Sequence, residues 1–207
     1  MNIRNEILET DAFYHIYNRG INSEKIFDTE ENYLFFLLKF KIYLNPVCDV
    51  FAYCLMPNHF HFLIKVKSEI EINTFAKVLN FDKKDITKQE KGLHSFDSIV
   101  SKQMGKFVSS YSQAYNKVTN RHGALLESPF KRKRVENEEY LRNLIIYIHL
   151  NPIGIKKNFE SYIFSSYKAI LSKVKTNLKR EETIAVFGDI DNFIYLHNYP
   201  PKFDFKF

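Results

Sequence analysis

The spacing of hydrophobic residues divides the first third of the chain into four predicted elements. Residues 12–19, AFYHIYNR, predict a strand that would have Phe13, His15 and Tyr17 on one face and Tyr14, Ile16 and Asn18 on the other. Residues 29–44, TEENYLFFLLKFKIYL, have apolar side chains at helical spacing, and this predicted helix ends before Pro46. The runs VCDVFAYCLM at 47–56 and HFHFLIKV at 59–66 are rich in β-branched and aromatic residues and flank a two-residue turn, so they predict a β-hairpin.

The remainder of the chain predicts mainly helices. INTFAKVL at 72–79 and the segment 101–118 have helical spacing, whereas the charged, aperiodic residues 81–95 indicate a surface excursion. PFKRKRVE at 129–136 predicts a short basic strand, and EEYLRNLIIYIHL at 138–150 predicts a helix. The order strand, helix, two strands, helix, strand, helix is that of an α+β fold with a split βαβ sheet and helices on one face.

Charge and cysteine content narrow the class of protein. The formal net charge of +6 suits a polyanionic partner, because basic side chains that neutralise phosphates release counterions, although many basic proteins simply have a solvated basic surface. Cys48 and Cys54 are the only cysteines, and we expect both to be reduced thiols. No apolar run has the length of a signal peptide or a membrane span, so we expect a cytoplasmic protein that does not cross a membrane.

Two histidines open the second strand of the predicted hairpin. Because alternate side chains of a strand share a face, His59 and His61 point the same way while Phe60 and Phe62 point into the core. Side-by-side imidazoles can chelate a divalent ion. The same pattern is also compatible with two partly exposed strand histidines that hold no ligand.

A tyrosine and an asparagine share one face of the helix at 138–150. Tyr147 and Asn151 are four residues apart, while Leu144, Ile145 and Ile148 supply much of the buried stripe. If that face lies over the histidine strand, the asparagine oxygen could complete a His-His-Asn metal site, and the phenol could reach a phosphate. Alternatively, the tyrosine is a core residue and the asparagine ends the helix before proline. The spacing leaves both readings open.

Five segments in a fixed order carry a resemblance to a known family. They are FYHIYNRGINSEKIF, FAYCLMPNHFHFLI, SYSQAYNKVTNRHGALLESPFKRKRV, YIHLNPIGI and FSSYKAI. Together they resemble the single-tyrosine transposases with a His-hydrophobic-His motif, particularly the REP-associated tyrosine transposases of the IS200-like group. The combination of PNHFHFLI with YIHLNP is more specific than either motif alone.

The resemblance implies a fold and a reaction. It implies a ferredoxin-like antiparallel sheet, with a catalytic domain over residues 1–155 and a C-terminal helical extension, residues 156–207, packed on the same domain. The implied activity is that of a single-strand endonuclease and DNA transposase, which nicks hairpin-bearing single-stranded DNA and transfers strands through a 5′-phosphotyrosine link. One tyrosine holds one strand end at a time, so the exchange of two ends needs a homodimer or two sequential events.

The family motif also assigns roles to residues of this chain. It implies His59, His61 and Asn151 as ligands of Mg²⁺ or Mn²⁺ and Tyr147 as the nucleophile. Some relatives have glutamine in place of the asparagine, whose reach to the metal is shorter. Because two imidazoles and an amide bring no negative charge, we expect Mg²⁺ to bind poorly without the DNA phosphate.

Several basic residues are candidates for contact with the DNA backbone. Strand alternation would turn only half of the basic strand toward one face, and a basic edge that discourages strand aggregation is the competing explanation. The candidates are Arg19, Arg121, Lys131, Arg132, Lys133 and Arg134. We expect His15, His122 and His149 to be structural or solvent-exposed residues.

The sequence also admits other assignments of the nucleophile and of the function. Tyr111 and Tyr115 compete with Tyr147 for the nucleophile, but only the last precedes the helix stop at which the family nucleophile aligns. A replication-initiator or relaxase-type nickase would share the histidine pair and the tyrosine. A domesticated, non-cleaving nucleic-acid-binding protein is the alternative outside the enzymes.

Overall fold

A four-stranded antiparallel sheet forms the centre of the computed structural model, which describes residues 6–78 and 96–202. The strands are β1 (Phe13–Arg19), β2 (Cys48–Met56), β3 (His59–Val66) and β4 (Lys131–Arg134). Their order across the sheet is β2-β3-β1-β4, and each neighbouring pair is antiparallel. The predicted strand, hairpin and basic strand are therefore confirmed.

Seven α-helices occur in the described part of the chain. They are α1 (Glu30–Tyr43), α2 (Glu69–Val78), α3 (Phe96–Val118), α4 (Glu138–Leu150), α5 (Tyr167–Leu171), α6 (Arg180–Ala185) and α7 (Ile190–Asn198). With the strand order, this sequence of elements gives the predicted α+β, ferredoxin-like split βαβ sheet. The predicted surface excursion at 81–95 lies outside the described residues.

The first core lies between one face of the sheet and the helices α1 and α3. Phe60 and Phe62 of β3 point into it, as predicted, and both are fully buried. Phe36 of α1 has its ring centroid 4.9 Å from that of Phe60, and Phe40 stacks on Phe62 at 4.2 Å. Phe107 of α3 closes this aromatic layer at 4.7 Å from Phe36. The helices that connect strands thus cover one face.

A second core occupies the opposite face of the sheet, beneath α4. Leu144, Ile145 and Ile148 are fully buried there, as their helical spacing predicts, and they pack with Leu63 of β3. The C-terminal helices contribute Phe193 and further apolar residues to the same core. Because His59, His61 and Leu63 alternate with the phenylalanines of β3, the histidines share the face that α4 covers.

Two further predictions concern cysteines and membranes. Cys48 and Cys54 are free, buried thiols, as expected. Burial raises the pKa of both thiols far above the usual range, so neither is a ready nucleophile. None of the helices in residues 6–78 and 96–202 combines the length and apolar character that crossing a bilayer requires.

Candidate active site

A cavity of about 410 Å³ opens beside the histidine end of β3, between the sheet and α4. It is lined by Tyr17, Asn18, Arg19, Ser23, Asn58, His59, His61, Lys131 and Tyr147. The tyrosine of α4 and both motif histidines therefore face one space within a single chain. The structure thus brings together residues that are distant in the sequence.

His59 is held by a hydrogen bond that fixes its tautomer. Its Nδ1 lies 2.7 Å from Oδ1 of Asn58, whose Nδ2 donates to the backbone carbonyl of Ser23 at 3.3 Å. Since the amide oxygen can only accept, His59 Nδ1 carries the proton. Burial lowers the pKa of His59, against the opposite effect of its contact with Asn151, so the ring is neutral near pH 7. Its Nε2 then presents a lone pair.

The amide of Asn151 faces that lone pair. Asn151 Nδ2 donates to the carbonyl oxygen of Tyr147 at 2.9 Å, one helical turn back, and this bond turns Oδ1 toward His59 Nε2 at 3.5 Å. Two acceptors that point at each other across 3.5 Å repel unless a cation lies near both. The two lone-pair atoms therefore suit a divalent ion. They come from different elements, the asparagine from the C-terminal end of α4 and the histidine from β3.

His61 lies between Tyr147 and a histidine that the sequence did not assign to the site. Its ring centroid is 5.5 Å from that of Tyr147, nearly perpendicular to it, and 5.2 Å from that of His59. On its other side, His61 Nδ1 lies 2.9 Å from Nε2 of His15. Burial, reinforced by the neighbouring imidazoles of His15 and His59, holds the pKa of His61 well below its usual range.

His15 was expected to be structural or solvent-exposed, and it is in fact fully buried beside the site. Burial, with a contribution from Lys133, lowers its pKa to about 3. Tyr17 also lines the cavity and stacks on His15 with ring centroids 4.6 Å apart. The alternation of β1 places His15 and Tyr17 on one face, but only its pairing with β3 shows that this face is the site.

The phenol of Tyr147 is half-buried against the histidines. Burial raises its pKa, an effect that the contact with Asn151 partly offsets. The competing tyrosines lie across the sheet in the first core: the hydroxyl of Tyr111 donates to the carbonyl of Ile26, and that of Tyr115 contacts Asp28. Neither lines the cavity of Tyr147.

Two of the six basic candidates reach the cavity. Arg19 and Lys131 line it, and both pair with the carboxylate of Glu127, Lys131 Nζ at 2.9 Å from Oε2. Their proximity lowers the pKa of the Glu127 carboxyl. Lys133 shares the face of Lys131, but its ammonium lies over the ring of Tyr140 at 5.0 Å.

The other three basic candidates lie elsewhere. Arg132 and Arg134 point to the opposite face of β4, as strand alternation requires. Arg132 lines a separate groove along α3, and Arg134 forms an ion pair with Glu9. Arg121 pairs with Glu24 at 2.7 Å and does not line the cavity.

Two other histidines, His122 and His149, behave as expected. His122 is exposed, and His149 is buried in a hydrogen-bonded network on the side of α4 away from the cavity. Within the described residues, no cluster of three or more His, Cys, Asp or Glu side chains could hold a metal ion. The candidate ligand set, His59, His61 and Asn151, contains only two side chains of these types.

Comparison with known proteins identifies the family. The model of the IS200-like transposases matches residues 9–121, more than half of the chain. The chain belongs to the IS200-like transposase family. The match includes both motif histidines, His59 and His61, and ends before Tyr147.

A solved structure has a similar fold. The structure of a REP-associated tyrosine transposase bound to a REP hairpin matches with a TM-score of 0.51 at 12% identity. The alignment covers 84% of this chain and 87% of that one. At this identity the likeness shows the fold, and its coverage is wide enough to extend beyond residue 121, where the family match ends. No curated protein matches the chain.

Proposed function

We propose that this transposase nicks hairpin-bearing single-stranded DNA and rejoins strands through a covalent link between Tyr147 and a 5′-phosphate. The observation that carries the proposal is the cavity that Tyr147, His59 and His61 line together; Asn151 is not among its lining residues but lies 3.5 Å from His59 Nε2. A hydrophobic core position for Tyr147, away from both histidines, would have left the phenol without access to a phosphate.

Tyr147 is the proposed nucleophile. As its oxygen forms a bond to phosphorus, the phenol loses its proton, the bond from phosphorus to the 3′ oxygen breaks, and the departing 3′ oxygen takes up a proton. A 3′-hydroxyl later reverses these events, so the energy of the phosphodiester is conserved. Burial raises the pKa of Tyr147, which keeps the phenol protonated near pH 7, and the phosphate must therefore be activated.

The residues around the phenol are suited to activating the phosphate. His59, His61 and Asn151 are the proposed ligands of Mg²⁺ or Mn²⁺, which when bound supplies Lewis acidity at a non-bridging phosphate oxygen. Arg19 and Lys131 line the same cavity and would offset the backbone charge next to the scissile bond. Each of these side chains orients or neutralises the phosphate without itself forming a covalent bond.

The substrate class is proposed from the fold match. That relative was solved bound to a REP hairpin, and the likeness extends over most of both chains. We therefore propose a hairpin next to the cleaved single strand for this transposase. Because the phenol, both imidazoles and the amide meet within one chain, we further propose that Tyr147 acts with the histidines of its own chain, in either a monomer or a homodimer.

Incubation with a pool of labelled hairpin-bearing single strands and Mn²⁺, followed by denaturing electrophoresis, tests the proposal. Wild-type protein should form a covalent adduct that Tyr147→Phe does not form. Tyr115→Phe is the matched control, because its phenol lies in the other core, and it should form the adduct. An adduct that persists in Tyr147→Phe, or no adduct from wild type on any strand, contradicts the proposal.

Mixing two inactive variants tests whether the tyrosine acts within its own chain. Tyr147→Phe lacks the nucleophile, and His61→Ala lacks a proposed ligand. If both parts of the site must belong to one chain, the mixture forms no adduct. Recovery of adduct formation on mixing would show that the tyrosine of one chain serves the histidines of another.

A further inference from the structure

The helix α1 has apolar side chains on two opposite sides. Its inner side includes Phe36 and Phe40, which are buried in the first core. On its outer side a stripe of three residues at intervals of four is about half exposed: Leu34 by 55%, Leu38 by 49% and Ile42 by 49%. A helix that is apolar all round is normally buried all round, so this outer stripe indicates a surface that another molecule covers.

An apolar pocket of about 260 Å³ lies beside the outer stripe. Leu38 forms part of its wall, together with Val50 of β2 and Leu178. Because Leu38 belongs both to the stripe and to the pocket, the two form one continuous apolar surface. The pocket can admit an apolar side chain of a partner, in the way that the side chain of one helix enters a hole between residues of another.

The charges of α1 favour a second copy of this chain as that partner. Glu30 lies in the first turn and Lys41 in the last, and no ion pair within the described residues includes either of them. They are eleven residues, or about three turns, apart, so they lie on the same flank of the outer stripe. When two identical helices pack antiparallel about a two-fold axis, each flank meets the same flank of the other copy in reverse order. Glu30 of each copy then faces the end of the other copy that carries Lys41.

We propose that α1 is an interface between two copies of this transposase, which pack antiparallel about a two-fold axis at Leu38. Leu38 then lies against its own copy, and Leu34 of each copy approaches Ile42 of the other. Three side chains and one pocket make a smaller interface than that of a permanent dimer, so the association is reversible and depends on protein concentration.

The interface lies on the far side of the sheet from the candidate active site. α1 packs in the first core, whereas α4, which carries Tyr147, packs on the opposite face. A dimer through α1 therefore leaves both cavities open and each complete within its own chain. Dimerisation through this surface would occur whether or not Tyr147 cleaves DNA.

Analytical ultracentrifugation of the full chain over a range of protein concentrations tests the interface. Wild type should convert from monomer to dimer as its concentration rises. Leu38→Lys places a charge beside its own copy on the axis and should raise the dissociation constant about tenfold or more. Ile190→Lys is the matched control and should leave the constant unchanged, because Ile190 is 42% exposed on α7, which packs in the second core. A wild type that stays monomeric up to its limit of solubility, or equal effects of the two variants, overturns the proposal.

Reversal of the two charges tests the antiparallel orientation. At low salt, Glu30→Lys and Lys41→Glu should each weaken the dimer about threefold or more, because each sets like charges against each other across the axis. The variant that carries both substitutions should recover most of the wild-type association. A double variant that associates more weakly than either single variant contradicts the antiparallel arrangement.

Disulfide crosslinking tests the position of the axis. Under mild oxidation Leu38→Cys should form an intermolecular disulfide, because each introduced thiol lies beside its own copy. The native Cys48 and Cys54 are buried and do not compete. Ile190→Cys should crosslink much more slowly. A wild-type dimer in which Leu38→Cys crosslinks no faster than Ile190→Cys would have its interface elsewhere, and the proposal would be wrong.

Discussion

A buried pair of histidines should make the stability of the protein depend on pH. His149 of α4 and His197 of α7 are joined Nδ1 to Nε2 at 2.8 Å, and neither is more than 1% exposed. His197 Nδ1 lies 2.7 Å from the carbonyl oxygen of Phe193 and must donate to it, so its Nε2 accepts from His149. His149 Nε2 then accepts from the hydroxyl of Ser166 at 2.7 Å. Every member of this network is neutral.

The size of the effect follows from the pKa of His197. Burial lowers it from 6.5 to about 4, and the groups packed around the ring are the neutral His149, Tyr167 and phenylalanines. Between these two values the unfolded chain binds a proton that the folded chain does not, so stability is complete above pH 6.5 and decreases as the pH falls toward 4. At about 1.4 kcal/mol per unit, His197 alone should remove about 2 kcal/mol between pH 7.5 and pH 5.

Urea unfolding of wild type and His197→Gln at both pH values measures this contribution. Glutamine can accept the N–H of His149 but does not titrate, and it loses the bond to Phe193 and the packing of the ring. The variant should be less stable than wild type at pH 7.5, and the difference should shrink by about 2 kcal/mol at pH 5.

An exposed residue that does not titrate provides the control for this measurement. Gln113→Ala should show the same small difference from wild type at pH 7.5 and pH 5, because its side chain is exposed and carries no ionisable group. If the difference for His197→Gln were equally independent of pH, the network would not hold a neutral histidine and the reasoning would be refuted. The outcome also concerns the site, since His149 lies on α4 between Tyr147 and Asn151.

Three further predictions concern the cavity. Asn151→Asp adds a negative charge to the proposed ligand set. Calorimetry without DNA should therefore show the affinity for Mg²⁺ raised roughly tenfold, or about 1.4 kcal/mol. An unchanged affinity contradicts the ligand role of Asn151. Lys131→Ala should reduce the slope of log binding constant against log salt concentration by about 0.7 for a hairpin-bearing single strand, because one phosphate contact is lost. Arg134→Ala should leave that slope unchanged, since Arg134 pairs with Glu9 outside the cavity. Equal effects of the two variants would show that the cavity does not hold the DNA backbone. Glu127→Gln removes the carboxylate that pairs with Lys131 and Arg19. Fluorescence anisotropy at low salt should therefore show tighter binding of the same strand. Weaker binding would mean that the carboxylate chiefly orients the two cations.

The sequence by itself determined the local structure and the identity of the motif residues. Alternation placed Phe60 and Phe62 in the core and His59 and His61 on the other face of β3, because the side-chain period of a strand is two. The helix predicted at 138–150 is α4, and Asn137, the residue before it, caps it by accepting from the N–H of Tyr140. The order of elements was sufficient for the split βαβ fold.

The sequence also left specific features undetermined. Helices were expected on one face of the sheet, and α1 and α3 lie there, but α4 and the C-terminal helices pack on the opposite face, which nothing in the local pattern indicated. The face on which a helix packs depends on how well its apolar side chains fit that face of the sheet, and this fit involves all the elements together. It decides that Tyr147 meets the histidines while Tyr111 and Tyr115 do not.

The register between strands is the other feature that only the tertiary structure decided. His15 looked like an ordinary strand residue, and its contact with the site depends on the pairing of β1 with β3, which sets its Nε2 beside His61 Nδ1. Likewise, Lys131 to Arg134 were the main candidates for DNA contact and Arg19 and Arg121 outlying ones, but of these six residues Arg19 and Lys131 line the cavity. Periodicity fixes the direction of a side chain within its own element, whereas its partners depend on contacts between segments far apart in the chain.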